Sequence, residues 1–490
     1  MTPPPNIILI VTDQQRWDTI GALGAPWMQT PNMDRLAAEG TAFTQCYTTS
    51  PVCVGARASL FSGCWPHMLN VYQNFDPWEP TWVQTLAQAG YHCVSIGKMH
   101  INPYDAKGGF HQRFPVENKD RALFLEEAHR AIYDEWDKAL LANGVVKPTR
   151  FNRAAADPEG FRQALGAYAW HLPDRLHSDN YIADTALWWV QQRKAPNPLF
   201  LQIGFCGPHP PYDPPQAYID RYADVALPAP DVTTADLDGQ TAALKALRAV
   251  QEQGNYDSIA WRSNPGREAL LRLRRHYAAN VTLLDERLGH LMQRLEQVGL
   301  LQNSLVIFTS DHGDNLGEHG HIQKHNMYDG AVRVPLIVRC PGRADAGRVS
   351  DAFVQWMDIA PTILEAAGVP VPRNWEAQSL WPLLADPSAP GRDAVYAELG
   401  RDHIQAHAEM MIMRRDRRWK LVFYLGQDDG ELYDLEQDAA ETTNRFHDAS
   451  LRELRDDLIG TLLRWQVTGT LRSRLRERAR PQQPMALPAG

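Results

Sequence analysis

Four short polar clusters punctuate the sequence, each directly after an apolar run. Asp13-Gln14 follows Asn6–Thr12, and Gly97-Lys98-Met99-His100 follows Tyr91–Ile96. Gly207-Pro208-His209 follows Leu199–Phe205, and Ser310-Asp311-His312-Gly313 follows Ser304–Thr309. The apolar runs read as buried strands. Ligands of open α/β sheets bind beyond the carboxyl ends of strands, so the four clusters are expected along one edge. One Asp after a strand is most often a helix cap. Acids, an amide, imidazoles and an amine after four strands exceed what caps and turns need. Asp13, Gln14, Asp311 and His312 offer two carboxylates, an amide oxygen and an imidazole. That set suits Ca2+, Mg2+ or Mn2+ rather than a structural zinc. Lys98, His100, His209 and Lys324 add cationic or proton-donating groups. The mixture fits an anionic substrate group held against a metal, with sulfate and phosphate esters as the obvious class.

A third element is Ser50-Pro-Val-Cys53-Val-Gly-Ala-Arg57, continuing to Gly63. Ala56–Phe61 reads as the first turns of a helix. Cys53 and Arg57 then lie at its N-terminal end, where free N–H groups and the dipole favour anions. Taken alone, a Cys here reads as a small buried hydrophobe.

The elements that must carry these groups alternate short apolar runs with helical patterns, which predicts an α/β domain with a largely parallel sheet. A helix is expected from Pro31 to Gly40, a strand over Ala42–Thr48, a helix over Trp82–Ala89 and a long helix over Leu270–Leu300. Residues 101–180 and 213–265 are polar, aromatic and read as loop-rich insertions that shape substrate access. After about residue 390 the runs Met410–Met413 and Trp419–Tyr424 and the turn at Asp429-Gly430 predict a small antiparallel sheet. Leu451, Leu454, Leu458, Leu462 and Trp465 mark one amphipathic helix. The expected units are a catalytic region at 1–390, a small α+β subdomain at 391–469 and an extended tail at 470–490.

The chain has 490 residues, 44% hydrophobic and 22% charged, with a net charge of -9. That balance gives no electrostatic case for nucleic acid, and no stretch approaches the length of a membrane span. The basic run Arg472–Arg480 reads as a helical arm or oligomer contact. The short apolar run near the N-terminus lacks a basic flank and a small-residue cleavage site, so it reads as a strand rather than a signal peptide. The six cysteines are scattered and form no CxxC pair, which predicts free thiols and a cytoplasmic protein.

In this order and spacing the residues resemble the type I sulfatases of the alkaline phosphatase superfamily, from Asn6 to about Trp465. The matching pieces include Val11-Thr-Asp-Gln-Gln-Arg16, Thr30-Pro-Asn-Met-Asp-Arg-Leu36, Cys53 to Gly63, Gly97-Lys-Met-His100 and Pro208-His-Pro-Pro-Tyr212. Thr309-Ser-Asp-His-Gly313, Leu316-Gly-Glu-His-Gly320 with Lys324, Val332-Arg-Val-Pro-Leu336 and Glu431-Leu-Tyr-Asp-Leu435 complete them. The resemblance implies a large, mostly parallel sheet sandwiched by helices, with a small C-terminal antiparallel sheet plus helix. It implies a hydrolase that releases inorganic sulfate from a small sulfate monoester. Cys53 would be oxidised to formylglycine by a formylglycine-generating enzyme, and the hydrate would be the nucleophile. Asp13, Gln14, Asp311 and His312 match the metal ligands, usually of Ca2+, with one hydroxyl of the Cys53-derived hydrate as a further ligand. Arg57 would orient the hydrate, and Lys98 and Lys324 would neutralise the sulfate oxygens. His209, with Lys324, would protonate the leaving group, and His100 would take a proton from the second hydroxyl. Asn74 occupies a position that contacts substrate in related hydrolases. Relatives with such C-terminal arms pack them across subunits, so a homo-oligomer is expected.

One departure stands out. The family's modification signature is Cys-X-Pro-X-Arg, with Ala sometimes in place of Pro; here the position holds Gly55. Cys64 also stands where an Arg is common. Two other readings follow: a phosphonate monoester or phosphodiester hydrolase of the same superfamily, and an unmodified sulfatase-like anion-binding protein. The Lys98–His100 pair favours sulfate. Aryl or alkyl, choline-type and sugar sulfates all satisfy the reading.

Overall fold

Strand β1 (Asn6–Asp13) sends Ile7, Leu9 and Val11 to one face and Ile8 and Ile10 to the other, and all five are buried. A strand apolar on both faces must be covered on both, as in sheets sandwiched by helices. A computed structural model shows this architecture and describes residues 4–78, 81–117, 119–120, 133–193, 198–254 and 256–477. The other strands of its main sheet are β2 (Thr41–Tyr47), β3 (His92–Gly97), β4 (Gln112–Pro115), β5 (Leu199–Pro208), β6 (Ser304–Ser310), β7 (Arg333–Arg339) and β8 (Arg348–Gln355). The eight strands run in the order β4-β3-β5-β1-β6-β7-β2-β8. Helices α1 (Pro31–Glu39), α3 (Ser178–Gln192) and α4 (Arg267–Gln297) cover the face of Ile8 and Ile10. Helix α2 (Cys53–Ser62) and the helix Ile359–Ala366 cover the other.

All pairings in this sheet are parallel except those of β7, which runs antiparallel to both β6 and β2. Antiparallel neighbours need no crossover helix. The chain therefore leaves β6, forms the segment 311–332 at the carboxyl edge and returns directly along β7. The sequence reading marks neither β7 nor β8 as a strand. Strand direction is not written in residue type, and the exposed alternation of β8 is weakly apolar.

A second, four-stranded antiparallel sheet has the order β12-β11-β10-β9, from β9 (Val395–Gly400), β10 (Met410–Arg415), β11 (Trp419–Leu425) and β12 (Gly430–Asp434). Helix α5 (Arg452–Glu477) lays Leu458 and Leu462 on Met410, Ile412, Leu421 and Leu432. Trp465 stacks on Tyr396 and meets Trp65 edge-on, tying this layer to the main body. Helix α5 corrects the expectation of an extended tail from residue 470, since it continues through Gly469 to Glu477. One helical Gly costs only about 1 kcal/mol, and the Leu- and Arg-rich residues beyond it are good helix formers. The basic run beyond Glu477 and the tail to 490 lie outside the described residues. The insertions also differ from the loop-rich expectation. Helices cover Glu135–Ala142, Arg150–Ala156, Pro158–Ala164, Thr234–Gly239 and Ala242–Gln253. Among the described residues no helix is long and apolar enough to cross a membrane.

Strands β3 and β5 approach closely at their ends. A Cβ on Gly204 would lie 1.9 Å from the Lys98 carbonyl oxygen, and one on Gly97, at φ +90°, 2.0 Å from that of Gly204. Gly204→Ala should therefore shift the Lys98 backbone and lower stability by about 2 kcal/mol, read from the urea midpoint. Leu462→Ala should cost about 3 kcal/mol by leaving a cavity under α5; an unchanged midpoint would show that α5 does not cement the small sheet.

Candidate active site

The carboxyl ends of β1, β3, β5 and β6 deliver Asp13, Lys98, His209 and Asp311 to one edge, as the strand-end reading predicts. Helix α2 points its N-terminus at the same place. Cys53 begins the helix, and Arg57 lies one turn on, on the same face. The Arg57 guanidinium donates to Asp311 Oδ2 at 2.8 Å and lies 3.5 Å from Asp13 Oδ2. Its other arm donates to the Lys98 carbonyl at 2.9 Å. The Lys98 ammonium pairs with Asp13 and lies 3.8 Å from Cys53 Sγ. Lys324 Nζ lies 3.1 Å from Cys53 Sγ and donates to Gln14 Oε1 at 3.0 Å. His312 Nε2 sits 3.1 Å from the same sulfur. His100 reaches Cys53 through its side chain, while its backbone N–H donates to Glu117.

These groups are buried together and reset one another's protonation. Burial would raise the Cys53 thiol, but Lys324, Lys98 and His312 outweigh it and hold the thiol well below its ordinary value. Asp13 is held low against its burial by Lys98, His209 and Lys324. Burial alone would lower Lys98 and Lys324; Asp13 and Cys53 raise both. His209 goes down, first from burial and then from Lys324. His209 Nδ1 is bound to the Pro210 carbonyl at 2.8 Å, which leaves Nε2 facing Asp257 at 3.6 Å. Three fixed cations thus surround one sulfur and two carboxylates, an arrangement that favours an anion at the centre.

Asp13, Cys53, Asp311 and His312 each present one donor atom, and the four lie within 4.8 Å of one another. Among the described residues, Asp13 Oδ2 accepts no hydrogen bond and is held by its ionic neighbours Lys98 and Arg57. Gln14 Oε1, His312 Nε2 and Cys53 Sγ all face the Lys324 ammonium, so the donors gather round a positive charge. Oxygen-rich donors with one imidazole fit a hard divalent cation. Gln14 reaches this set through a left-handed backbone, φ +69°.

Asn74 is exposed on the turn after the helix Pro66–Leu69, and among the described residues no hydrogen bond joins it to the cluster. Two residues were not singled out from sequence. Asp314 accepts from Gln14 Nε2 at 2.7 Å, from the Tyr212 hydroxyl at 2.6 Å and from the Gln323 backbone at 2.8 Å, so it sets both Gln14 and the Lys324 segment. Its position two residues after His312 was the available signal. Asp257 lies in an insertion with no spacing that marks it.

The family model for Sulfatase matches residues 5–369, and that for the C-terminal region of N-sulphoglucosamine sulphohydrolase matches residues 317–468. An arylsulfatase of Clostridium perfringens is 29% identical over 474 residues, 94% of each chain. A choline-sulfatase of Rhizobium meliloti is 29% identical over 455 residues, 90% of this chain and 82% of its own. The solved phosphonate monoester hydrolase of Agrobacterium radiobacter superimposes with a TM-score of 0.75 at 26% identity, covering 95% of this chain and 96% of its own. With one family model spanning the main sheet and every strand-end cluster, the chain belongs to the sulfatase family of the alkaline phosphatase superfamily and is an enzyme of that family.

Proposed function

We propose that the protein hydrolyses a small sulfate monoester to inorganic sulfate and an alcohol. In this reading Cys53 matures to formylglycine, and Asp13, Gln14, Asp311 and His312 hold one divalent cation, Ca2+. The observation that carries it is the convergence of Lys98, Lys324 and His312 on Cys53 Sγ, with Arg57 locked between both aspartates. When present, the formylglycine hydrate supplies the attacking oxygen and the cation stabilises its negative charge.

The side chains divide the remaining work. Lys98 and Lys324 neutralise the sulfate oxygens, approaching position 53 from different elements. His209 presents Nε2 on the leaving-group side, where its imidazolium form, facing Asp257 at 3.6 Å, gives a proton to the departing alcohol together with Lys324. His100 takes a proton from the nucleophile side. Arg57 neutralises Asp13 and Asp311 and keeps both carboxylates turned inward. Asn74 enters only if the exposed turn that carries it folds toward substrate.

Gly55 is compatible with this reading. It is the third residue of α2, within the first turn, where backbone N–H groups have no helical partner. A Cβ there would meet Ser50 Oγ at 3.0 Å, so the small residue relieves a tight contact in the folded site. All six cysteines are free and buried, which fits a reducing, cytoplasmic setting and a small imported ester. Leu463, Val467 and Leu471 form an exposed apolar stripe on α5, which supports a homo-oligomer through this helix. A second reading, hydrolysis of phosphonate monoesters or phosphodiesters, draws support from the likeness to the phosphonate monoester hydrolase.

Mass spectrometry of the tryptic peptide Leu36–Arg57, from protein made in its native host, should show Cys53 as the aldehyde or its hydrate and Cys46 as a thiol. A thiol at Cys53 would overturn the formylglycine step. Cys53→Ala should abolish sulfate release, whereas equal turnover of phosphonate and sulfate esters by the native protein would favour the second reading. Ca2+ at about 100 times its Kd should stabilise the fold by about 2.7 kcal/mol. Asp311→Ala should remove that rise in Tm, and a retained rise would place the cation elsewhere.

A further inference from the structure

Three imidazoles meet at the catalytic cluster, and two are fixed by their own rings. His209 Nδ1 is bound to the Pro210 carbonyl at 2.8 Å, and His312 Nδ1 to that of Gly313 at 3.0 Å. A bond at one ring nitrogen sets the orientation of the other. His100 has no such bond. Its Nδ1 is buried and, among the described residues, meets no hydrogen-bond partner. The aim of this ring at Cys53 must therefore come from the backbone that carries it.

That backbone is strained. His100 has φ +61°, in the left-handed region that side chains disfavour. Such a state persists only where the surroundings over-determine it. Here both backbone polar groups of His100 are taken by side chains. Its N–H donates to Glu117 Oε2 at 2.9 Å, and its carbonyl accepts from the Trp78 indole N–H at 3.0 Å.

The two side chains are themselves anchored. Strands β3 and β4 run parallel with Gly97 opposite Pro115, so His100 and Glu117 follow neighbouring strand ends. The Glu117 N–H donates to Asp134 Oδ2 at 3.1 Å, and Asp134 caps the helix Glu135–Ala142. The Glu117 side chain is 8% exposed, with Arg113 at 3.7 Å as its ionic neighbour. Burying a carboxylate is unfavourable. A leucine would fill the same space without that penalty, so the acid at 117 answers to more than packing. Trp78 stacks on Phe61 at 6.0 Å, and Phe61 belongs to α2, the helix that begins with Cys53. One brace on His100 thus comes from the edge of the main sheet, and the other leans on the helix of the nucleophile position.

We propose that Glu117 and Trp78 are positioning residues that hold His100 in its left-handed conformation and so aim its imidazole at position 53. The inference rests on the sulfate ester reading above, in which His100 takes a proton there. Neither residue acts on the ester itself; both act through one backbone unit.

The test uses the mature enzyme with 4-nitrophenyl sulfate. Glu117→Leu keeps the volume and removes the acceptor, and Trp78→Phe keeps a ring on Phe61 and removes the donor. Each should lower kcat about tenfold, as a misplaced catalytic group does. In a His100→Ala background neither should lower it further by more than about twofold, because residues that act through one group are not additive. Glu117→Gln, which retains an acceptor oxygen, should recover most of the loss. Hydrogen exchange reads the same brace without turnover: the His100 amide should exchange about tenfold faster in Glu117→Leu than in the native protein. Unchanged exchange, an unchanged kcat, or equal falls in the native and His100→Ala backgrounds overturns the proposal. If even the native protein releases no sulfate, faster exchange at His100 upholds the brace, and the sulfatase reading alone falls. Should Glu117→Leu not fold, the cycle of Trp78→Phe with His100→Ala decides in its place.

Discussion

Arg57 and Lys98 are 1% and 2% exposed, and a buried cation without a partner costs several kcal/mol. Their charges are met by Asp13 and Asp311, which come from neighbouring strands of the sheet centre. Much of the architecture can be read as meeting that one requirement. The pairing of β1 with β6 brings the two carboxylates side by side. The glycines at 97 and 204 let β3 come near enough for Lys98 to reach Asp13. Lys324 adds a third cation against these two carboxylates, so a charge is left over at the cluster's centre. That surplus lowers the Cys53 thiol, and it is also what an anionic ester would meet.

The reversal of β7 plays a different part. It turns the segment 311–332 into a closed excursion whose two ends are adjacent strands, so metal-type donors and Lys324 share one short tether. Asp314 sits near the start of that tether and binds Gln14, Tyr212 and the Gln323 backbone. One carboxylate thereby couples the first strand, the second insertion's entry and the Lys324 turn.

The strand ends are legible because β1, β3, β5 and β6 are mostly apolar and end in polar clusters. Cys53 and Arg57 were legible because four-residue spacing on a helix is a face. What could not be read depended on tertiary placement. Asn74 is a polar residue on a turn like many others, and only the fold shows that its side chain faces solvent. Asp257 acquires its meaning from the fold of an insertion that carries no periodic signal. The direction of β7 has no residue signature at all. Helix α5 runs past Gly469 because no proline follows until Pro481 and the intervening residues favour a helix, a preference that the arginine-rich composition of the segment hides.

Cys53 and His312, which touch in the folded protein, are 259 residues apart in the chain. At roughly 5–20 residues per second of synthesis, the interval between their emergence is about 13–50 s. During that time β6 does not exist, and Asp311, His312 and Lys324 are missing from the surroundings of the start of α2. The contacts that bury Cys53 among these groups close only when the later strands arrive. Any enzyme that must read this cysteine in an open chain works against that clock, and Gly55, by keeping the segment slow to settle into helix, lengthens the time it has.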